Sequence, residues 1–494
     1  MHIVWLKRDL RIRDHRPLHE AAQRGDLLVL YVYEPEVFDS EYMHASHVDF
    51  INESLAELRD ALRMRGGDLC VRTGRMPDVL EKLHAKQAIS GLWAHEETGT
   101  MATFERDERV RKWCHSADLP FHEYMQHGVW RGPHGRDGWA SRWDTLMAED
   151  SAPTPEMIRA PRGIEMGDLR PAKDLGVRGE SKPHAQRGGE SLAWETLRSF
   201  LTERGANYRK DMSSPVTAWE GCSRISTHLA YGNISIREAW QATRKRVEHL
   251  RSQEEAGKKL DKRWFGSLKS FGGRLHWHCH FIQKLEDAPR LEFENMARSY
   301  DGMREDEWDE DRFVAWKTGQ TGYPMVDACM RCLLATGWLN FRMRAMLVSF
   351  SSYHLWLHWR RPSIHLARHF LDFEPGIHFT QFQMQSGVTG INSMRMYSPA
   401  KQVSDHDPKG AFIRKWVPEL RDVPNKYLPN PEKMPDALQE EIGCVIGENY
   451  PEPVVVHLDR YHDARSRVWA IKKTPEAKAE ANVLYEKHGS RKRR

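Results

Sequence analysis

The run Gly319–Phe350 reads GQTGYPMVDACMRCLLATGWLNFRMRAMLVSF, and its reading decides the fold. Asp327 to Leu334 has helical composition, and Gly337 stands where a helix stop belongs. A second helix is predicted from about Asn340 to Trp359, apolar on every side through Phe341, Met343, Met346, Leu347, Phe350, Tyr353, Leu355, Trp356 and Trp359. A helix apolar all round is buried inside a large domain. Arg342 and Arg344 within it then need an anion or a carboxylate, because an unpaired buried charge is costly. Structural salt bridges and a bound anionic ligand both satisfy that need.

Outward from this run, helical periodicity holds from about residue 196 to 370, loosens through Glu374-Pro375-Gly376 and tightens again at Phe412 to Leu420. Residues 196–475 are therefore read as an all-α domain. Residues 1–130 alternate differently. His2–Leu6, Asp26–Tyr33, Asp68–Arg72 and Ile89–Ala94 read as strands. Between the second and third, His47 to Met64 sets Phe50, Ile51, Leu55, Leu58 and Leu62 on one face. Strands separated by helices predict a doubly wound parallel sheet. The first strand is not followed by a GxGxxG turn. Residues 131–195, rich in Gly, Pro, Arg and Ser, read as a connection between the two domains. Residues 476–494 end in the basic run Arg491–Arg494, read as a solvated tail.

A chain of 494 residues exceeds one hydrophobic core, so two domains are expected. The net charge of +4 imposes no global polyelectrolyte character. Nothing approaches the length of a membrane span, and the first residues, MHIVWLKRDLR, read as a strand followed by charges rather than a signal peptide. A cytoplasmic monomer is expected. Seven cysteines at irregular intervals form no disulfide framework. Cys329-x-x-Cys332 lacks a second close pair, so plain buried thiols are expected there instead of an iron–sulfur cluster. His276, His278 and His280 cannot all share one helix face, and no metal site is expected.

Gly221-Cys222-Ser223-Arg224-Ile225-Ser226-Thr227-His228-Leu229 collects hydroxyls at a helix start. Alone it is either a serine-rich cap or a grip for a pyrophosphate.

Taken together, Thr321-Gly322-Tyr323-Pro324-x-Val326-Asp327-Ala328, Thr336-Gly337-Trp338, Arg342-x-Arg344 and Ser349-Phe350 resemble the flavin-binding region of the DNA photolyase/cryptochrome family. The opening Val4-Trp5-x-Lys7-Arg8-Asp9-Leu10-Arg11-x-x-Asp14 is similar to the start of its members. So are Asn392-x-x-Arg395-x-Tyr397-x-Pro399-x-x-Gln402 and Phe412-Ile413-Arg414-x-Trp416-Val417-Pro418-Glu419-Leu420. The resemblance implies an N-terminal α/β domain, a helical FAD-binding domain and UV-damaged DNA as partner. It also implies repair of pyrimidine dimers by an electron from reduced FAD under blue light, or, as the alternative, a cryptochrome-like photoreceptor. A second antenna chromophore, a folate or a deazaflavin, is a further implication.

Carried over residue by residue, the resemblance assigns Tyr208, Ser223, Arg224, Ile225, Ser226, Trp338, Arg344, Asp372, Glu374 and His378 to the cofactor. Arg274, Trp277, Arg342, Arg395 and Gln402 fall to DNA, with Trp277, His378, Trp359 and Trp338 in catalytic roles. Several positions depart from the family pattern, among them Cys222, where members often have threonine, and Asn340-Phe341, where an asparagine is displaced. Arg274 stands where repair enzymes have a glutamate, His378 where an asparagine, aspartate or cysteine faces the flavin, and Phe382 where the nearest electron-relay tryptophan belongs. With Phe382 there, photoreduction of the flavin is expected either to be slow or to use Trp338 or Trp356 as first donor, with Trp356 and Trp359 one helical turn apart.

Overall fold

A computed structural model describes residues 1–132 and 136–489. Five parallel strands, β1 (His2–Leu6), β2 (Leu27–Tyr33), β3 (Leu69–Thr73), β4 (Gly91–His95) and β5 (Phe121–Tyr124), form one sheet in the order β3-β2-β1-β4-β5. Val4 pairs with Val29 on one side and Trp93 on the other. Every residue of β2 is buried, as a parallel strand covered by helices on both faces requires. The expected four strands are thus joined by a fifth. FHEY is half-buried throughout and lies at the sheet edge, so it lacks the apolar run that marked the others.

The segment read as a connection holds more structure than its composition predicts. Helix Trp139–Ala148 sends Trp139, Trp143 and Met147 into the same core as Ala193 and Leu197 of helix Glu190–Ser199. Between these helices the chain runs as an irregular strap along the α/β unit. There the Val71 amide donates to the Met166 carbonyl at 2.6 Å and the Ile158 amide to the Arg65 carbonyl at 2.7 Å. The C-terminal segment is helical over Pro475–His488, capped by the Thr474 side chain. Arg491–Arg494 lie outside the described residues.

The helical domain packs around the opening motif. Asp327 is fully buried and accepts four hydrogen bonds: from the Thr321 amide (2.8 Å) and hydroxyl (2.6 Å), the Gly322 amide (3.1 Å) and the Tyr450 hydroxyl (2.6 Å). Gly322 has φ +76, and a Cβ there would lie 2.4 Å from the Glu452 carbonyl oxygen. Helix Pro324–Thr336 ends at Gly337, φ +75, as read from the sequence.

The second helix is shorter than expected. It spans Phe341–Ser349, widens into a π-type turn over Phe350–His354 and stops. The Leu355 amide bonds back to the Phe350 carbonyl (3.1 Å) and the Leu357 amide to the Ser351 carbonyl (3.0 Å), while Trp356 takes a left-handed φ of 57°. Trp359 then caps a separate helix, Arg360–His369. Trp356 and Trp359 are therefore not one helical turn apart. The break is invisible to periodicity because its residues, His358 apart, are buried on every side. Pro375 likewise opens a helix, Pro375–Ser386, where a loosening was expected, since proline suits a first helical turn. Among the described residues no helix is long and apolar enough to cross a membrane.

Candidate functional site

Arg344 is held at both ends. Its Nη1 and Nη2 donate to the two Asp372 carboxylate oxygens at 2.9 and 2.8 Å, and its Nε donates to the Leu339 carbonyl at 2.7 Å. The guanidinium also stacks 4.0 Å from the centroid of the Phe370 ring. The chain turns that bear these groups are tied together, because the Leu371 amide donates to the Gly337 carbonyl at 2.9 Å. Gly337 thus sets Trp338 beside Asp372.

Arg224 approaches the same place from the hydroxyl-rich segment. Its φ is 62°, unusual for a side chain of this size, and its guanidinium packs on the rings of Trp219 (3.8 Å) and Trp338 (4.0 Å), which meet edge to face. Its Nε and Nη1 are buried without a hydrogen-bond partner. Burial pulls this arginine down to about 10, with Asp372 opposing the shift. A desolvated cation with free N–H groups is the electrostatic complement of a pyrophosphate. The backbone conformation is imposed by Arg204, which donates to the Glu220 carbonyl (2.7 Å), the Ser223 carbonyl (2.9 Å) and the Cys222 carbonyl. Ile225 is core, and Ser223 and Ser226 are half-buried on either side of Arg224. Tyr208 packs edge-on against Phe200 and lies next to Arg274.

His378 is neutral: burial lowers it to about 4. Its Nε2 donates to the Ser363 carbonyl at 2.8 Å, which leaves Nδ1 as a lone-pair acceptor. Phe373, Phe379 and Phe382 surround the ring at 5.2, 5.4 and 5.6 Å. Glu374 is engaged from the other domain. Arg8 reaches its Oε2 at 3.3 Å and the Phe373 carbonyl at 2.6 Å, tying Glu374 to the α/β unit. Burial outweighs Arg8 and raises Glu374 to about 7.

A second face is exposed. Trp277 is 49% and Phe341 48% accessible, and the Arg274 guanidinium lies 4.5 Å from the first ring and 5.9 Å from the second. Arg395 is exposed and Arg342 half-buried, with its Nε unpartnered. Gln402 is buried, and its Oε1 has no hydrogen-bond partner. Trp359 is fully buried, its indole N–H donating to Asn295 Oδ1 at 2.7 Å.

Sequence reasoning missed Arg204 and Trp219, which act only through partners brought together by the fold. A cleft of about 80 Å³ between the domains is lined by Arg8, Glu34, Tyr42, Glu97, Arg106 and Phe373 among others. This cleft opens at the carboxyl ends of β1, β2 and β4, where ligands of open α/β sheets bind.

The histidine groupings lie among aromatic rings and one buried carboxylate. His276 and His280 pack edge-on against Trp139 at 4.9 and 5.8 Å, while His278 faces His127. Asp9 accepts from His95 Nδ1 (2.8 Å), and His15 Nε2 lies 3.0 Å from the same carboxylate oxygen without hydrogen-bond geometry. His15 Nδ1 accepts from the Leu18 amide at 3.2 Å, so its Nε2 must carry the proton and is not a metal lone pair.

Fold and site together define a two-domain cofactor protein with a buried cationic grip in its helical half. Comparison with known proteins gives the group. The FAD-binding domain of DNA photolyase matches residues 271–470, and the DNA photolyase domain matches residues 2–133. The chain is 27% identical to a cryptochrome DASH from Gloeobacter violaceus over 92% of each protein. It is 26% identical to a deoxyribodipyrimidine photo-lyase from Alkalihalophilus pseudofirmus, over 94% of this chain and 96% of that one. A bacterial class III photolyase structure from Agrobacterium tumefaciens shares the fold, with a TM-score of 0.80 at 24% identity over 96% of this chain and 98% of that one. An archaeal photolyase structure from Sulfolobus tokodaii, described with two FAD molecules, has a TM-score of 0.75 at 26% identity over 95% of this chain and all (100%) of that one. The chain belongs to the DNA photolyase/cryptochrome family and carries its FAD-binding domain.

Proposed function

We propose that this protein is a blue-light-dependent DNA photolyase acting on pyrimidine dimers in UV-damaged DNA, with residues 196–475 as the FAD-binding unit, 1–130 as the antenna unit and 131–195 joining them. The observation that carries the reading is the exposed Trp277–Arg274–Phe341 face, which sits directly beside Tyr208 of the cofactor segment. Bound FAD, reduced and excited by light, supplies the electron that splits the dimer.

The chain's own residues do the rest. Arg224, with Ser223 and Ser226 beside it, holds the pyrophosphate, and its burial makes that contact strong. Arg344 and Asp372 present a fixed dipole at the inner end of the site. His378 offers Nδ1 as an acceptor and stays neutral. Trp277 offers a stacking face to an extruded base, and Arg274, Arg342 and Arg395 neutralise phosphates. The second chromophore, a folate or a deazaflavin, is assigned to the cleft between the domains, where Glu34 Oε2 has no partner while Arg106 is held by Glu34, Glu97 and Asp107.

The second reading is a cryptochrome-like photoreceptor. Arg274 favours it, because a guanidinium stacked on Trp277 gives the slot no acidic proton to donate to a substrate. Purified protein tested under blue light and in darkness, with cyclobutane dimers and 6-4 photoproducts in separate reactions, decides between them. Light-dependent loss of one lesion supports repair. No turnover of either by a fully flavin-loaded sample leaves the receptor reading.

A further inference from the structure

Lys182 lies on the irregular strap and is 8% exposed. Its Nζ sits 3.0 Å from the Leu333 carbonyl, 3.2 Å from the His369 carbonyl and 3.3 Å from His369 Nδ1, and it makes no carboxylate pair among the described residues. Three acceptors match the three N–H bonds of an ammonium. Both carbonyls belong to last helical turns, Leu333 in helix Pro324–Thr336 and His369 at the end of helix Arg360–His369. The cation therefore caps two helix carboxyl ends, each the negative pole of its dipole.

The chain leaving these two ends runs straight into the site. Gly337 and Trp338 follow the first helix, while Phe370, Leu371 and Asp372 follow the second, and the Leu371–Gly337 hydrogen bond joins the two exits. We propose that Lys182 is a positioning residue for the flavin site, a clamp from the interdomain strap that fixes Trp338 and Asp372 relative to each other. This rests on the reading of those two residues as flavin contacts.

The surroundings make the clamp titratable. The helix Ala45–Arg63 brings His47, preceded by its cap His44. Helix Arg360–His369 adds His365, Arg368 and His369, Cys332 comes from helix Pro324–Thr336, and Lys317 lies behind His365. Burial holds His44 at about 4 and His47 and His365 at about 3, and pushes His369 down as well, so these rings are neutral at neutral pH. Burial also lowers Lys182 to about 7. Above that pH one acceptor loses its donor. A lysine whose folded pKa is depressed stabilises the fold as pH rises from about 7 toward its unfolded value near 10.4. Flavin retention and global stability should consequently move in opposite directions over this window.

The test compares wild type with Lys182→Met, which keeps the stem and removes the donors, and Lys182→Gln, which keeps two donors without charge. Hydrogen exchange on the apoprotein reads the clamp without flavin, and FAD release rates on the loaded protein read its link to the site. In Lys182→Met the Leu371 amide is expected to exchange at least tenfold faster while amides of β1 and β2 keep their rates. FAD release should be several-fold faster and lose the pH dependence seen in wild type between pH 7 and 9. Lys182→Gln should fall between the two and serves alone if the methionine variant does not fold. Unchanged exchange at Leu371, or equal acceleration throughout the chain, overturns the clamp. Faster Leu371 exchange with unchanged FAD release keeps the clamp and overturns the placement of Trp338 and Asp372 at the flavin.

Discussion

Arg344 and Asp372 meet at two points, 2.9 and 2.8 Å apart, across a turn fixed by Gly337. A fork-to-fork pair of this kind sets direction as well as charge. Asp372→Asn keeps the shape but leaves the guanidinium without its counter-charge. FAD retention should fall roughly tenfold, about 1.4 kcal/mol, while circular dichroism of the apoprotein stays unchanged. Full flavin content and unaltered photoreduction in the variant would remove Asp372 from the site.

Arg224 gives a sharper version of the same test. Its buried Nε and Nη1 have no partner, so Arg224→Met should remove a desolvation cost from the apoprotein while abolishing tight FAD binding. The expected signature is a melting temperature equal to or above that of wild type without flavin, and no stabilisation when FAD is added. A variant still stabilised by FAD as strongly as wild type would place the pyrophosphate elsewhere.

The DNA face is tested by salt. Arg342→Ala and Arg395→Ala should each weaken binding to damaged DNA and reduce the slope of log K against log salt by about 1. An unchanged slope in both variants counts for the photoreceptor reading.

Glu374 provides a pH test. Its carboxyl is raised to about 7, so the folded state binds more protons than the unfolded one between roughly pH 4.3 and 7. Stability from this group is therefore present at low pH and is lost as pH rises through 7. Glu374→Gln should match wild type near pH 5 and exceed it above pH 7, by at most about 3 kcal/mol. Parallel unfolding curves across pH 5–8 would show that Arg8 neutralises the carboxylate fully.

Much of this site was legible because its residues lie in short motifs with fixed intervals. Asp327, Gly337, Arg344 and Asp372 fall where the sequence placed them, and each has a local reason: a turn, a helix stop or a charge that needs a partner. Trp219, Arg204 and Lys182 were not legible. They act on residues up to 187 positions away, as Lys182 does on His369, and no local pattern encodes such a meeting. The helix break after Ser349 escaped for another reason. Periodicity reports a buried face, and Phe350 to Trp359 is buried on every side apart from His358.

That break bears on electron supply. Trp338 or Trp356 was the expected first donor, but both carry guanidinium groups on their rings. Arg224 lies 4.0 Å from Trp338, while Arg304 and Arg467 lie 4.5 and 4.1 Å from Trp356. Removing an electron from either ring would place a positive charge against an existing one, although at Trp356 the Glu307 carboxylate, which accepts the indole N–H at 3.3 Å and pairs with Arg467, offsets part of the repulsion. At 4 Å and an effective dielectric of 20 that repulsion is about 4 kcal/mol, enough to slow the step a thousandfold at equal coupling. Trp277 carries Arg274 at 4.5 Å and is disfavoured in the same way, whereas at Trp308 the Glu310 carboxylate, which accepts the indole N–H at 2.8 Å, offsets Arg361 at 4.2 Å. Trp359 has no such neighbour among the described residues, is fully buried, and gives its indole N–H to a neutral amide oxygen at 2.7 Å. Among Trp277, Trp338, Trp356 and Trp359 it is thus the ring that loses an electron most readily. Trp359→Phe should cut light-driven flavin reduction at least tenfold in the absence of added thiols, while Trp338→Phe and Trp356→Phe leave the rate within about twofold of the parent. Equal rates in Trp359→Phe and the parent protein would show that reduction comes from outside the chain and that all of these rings serve packing alone.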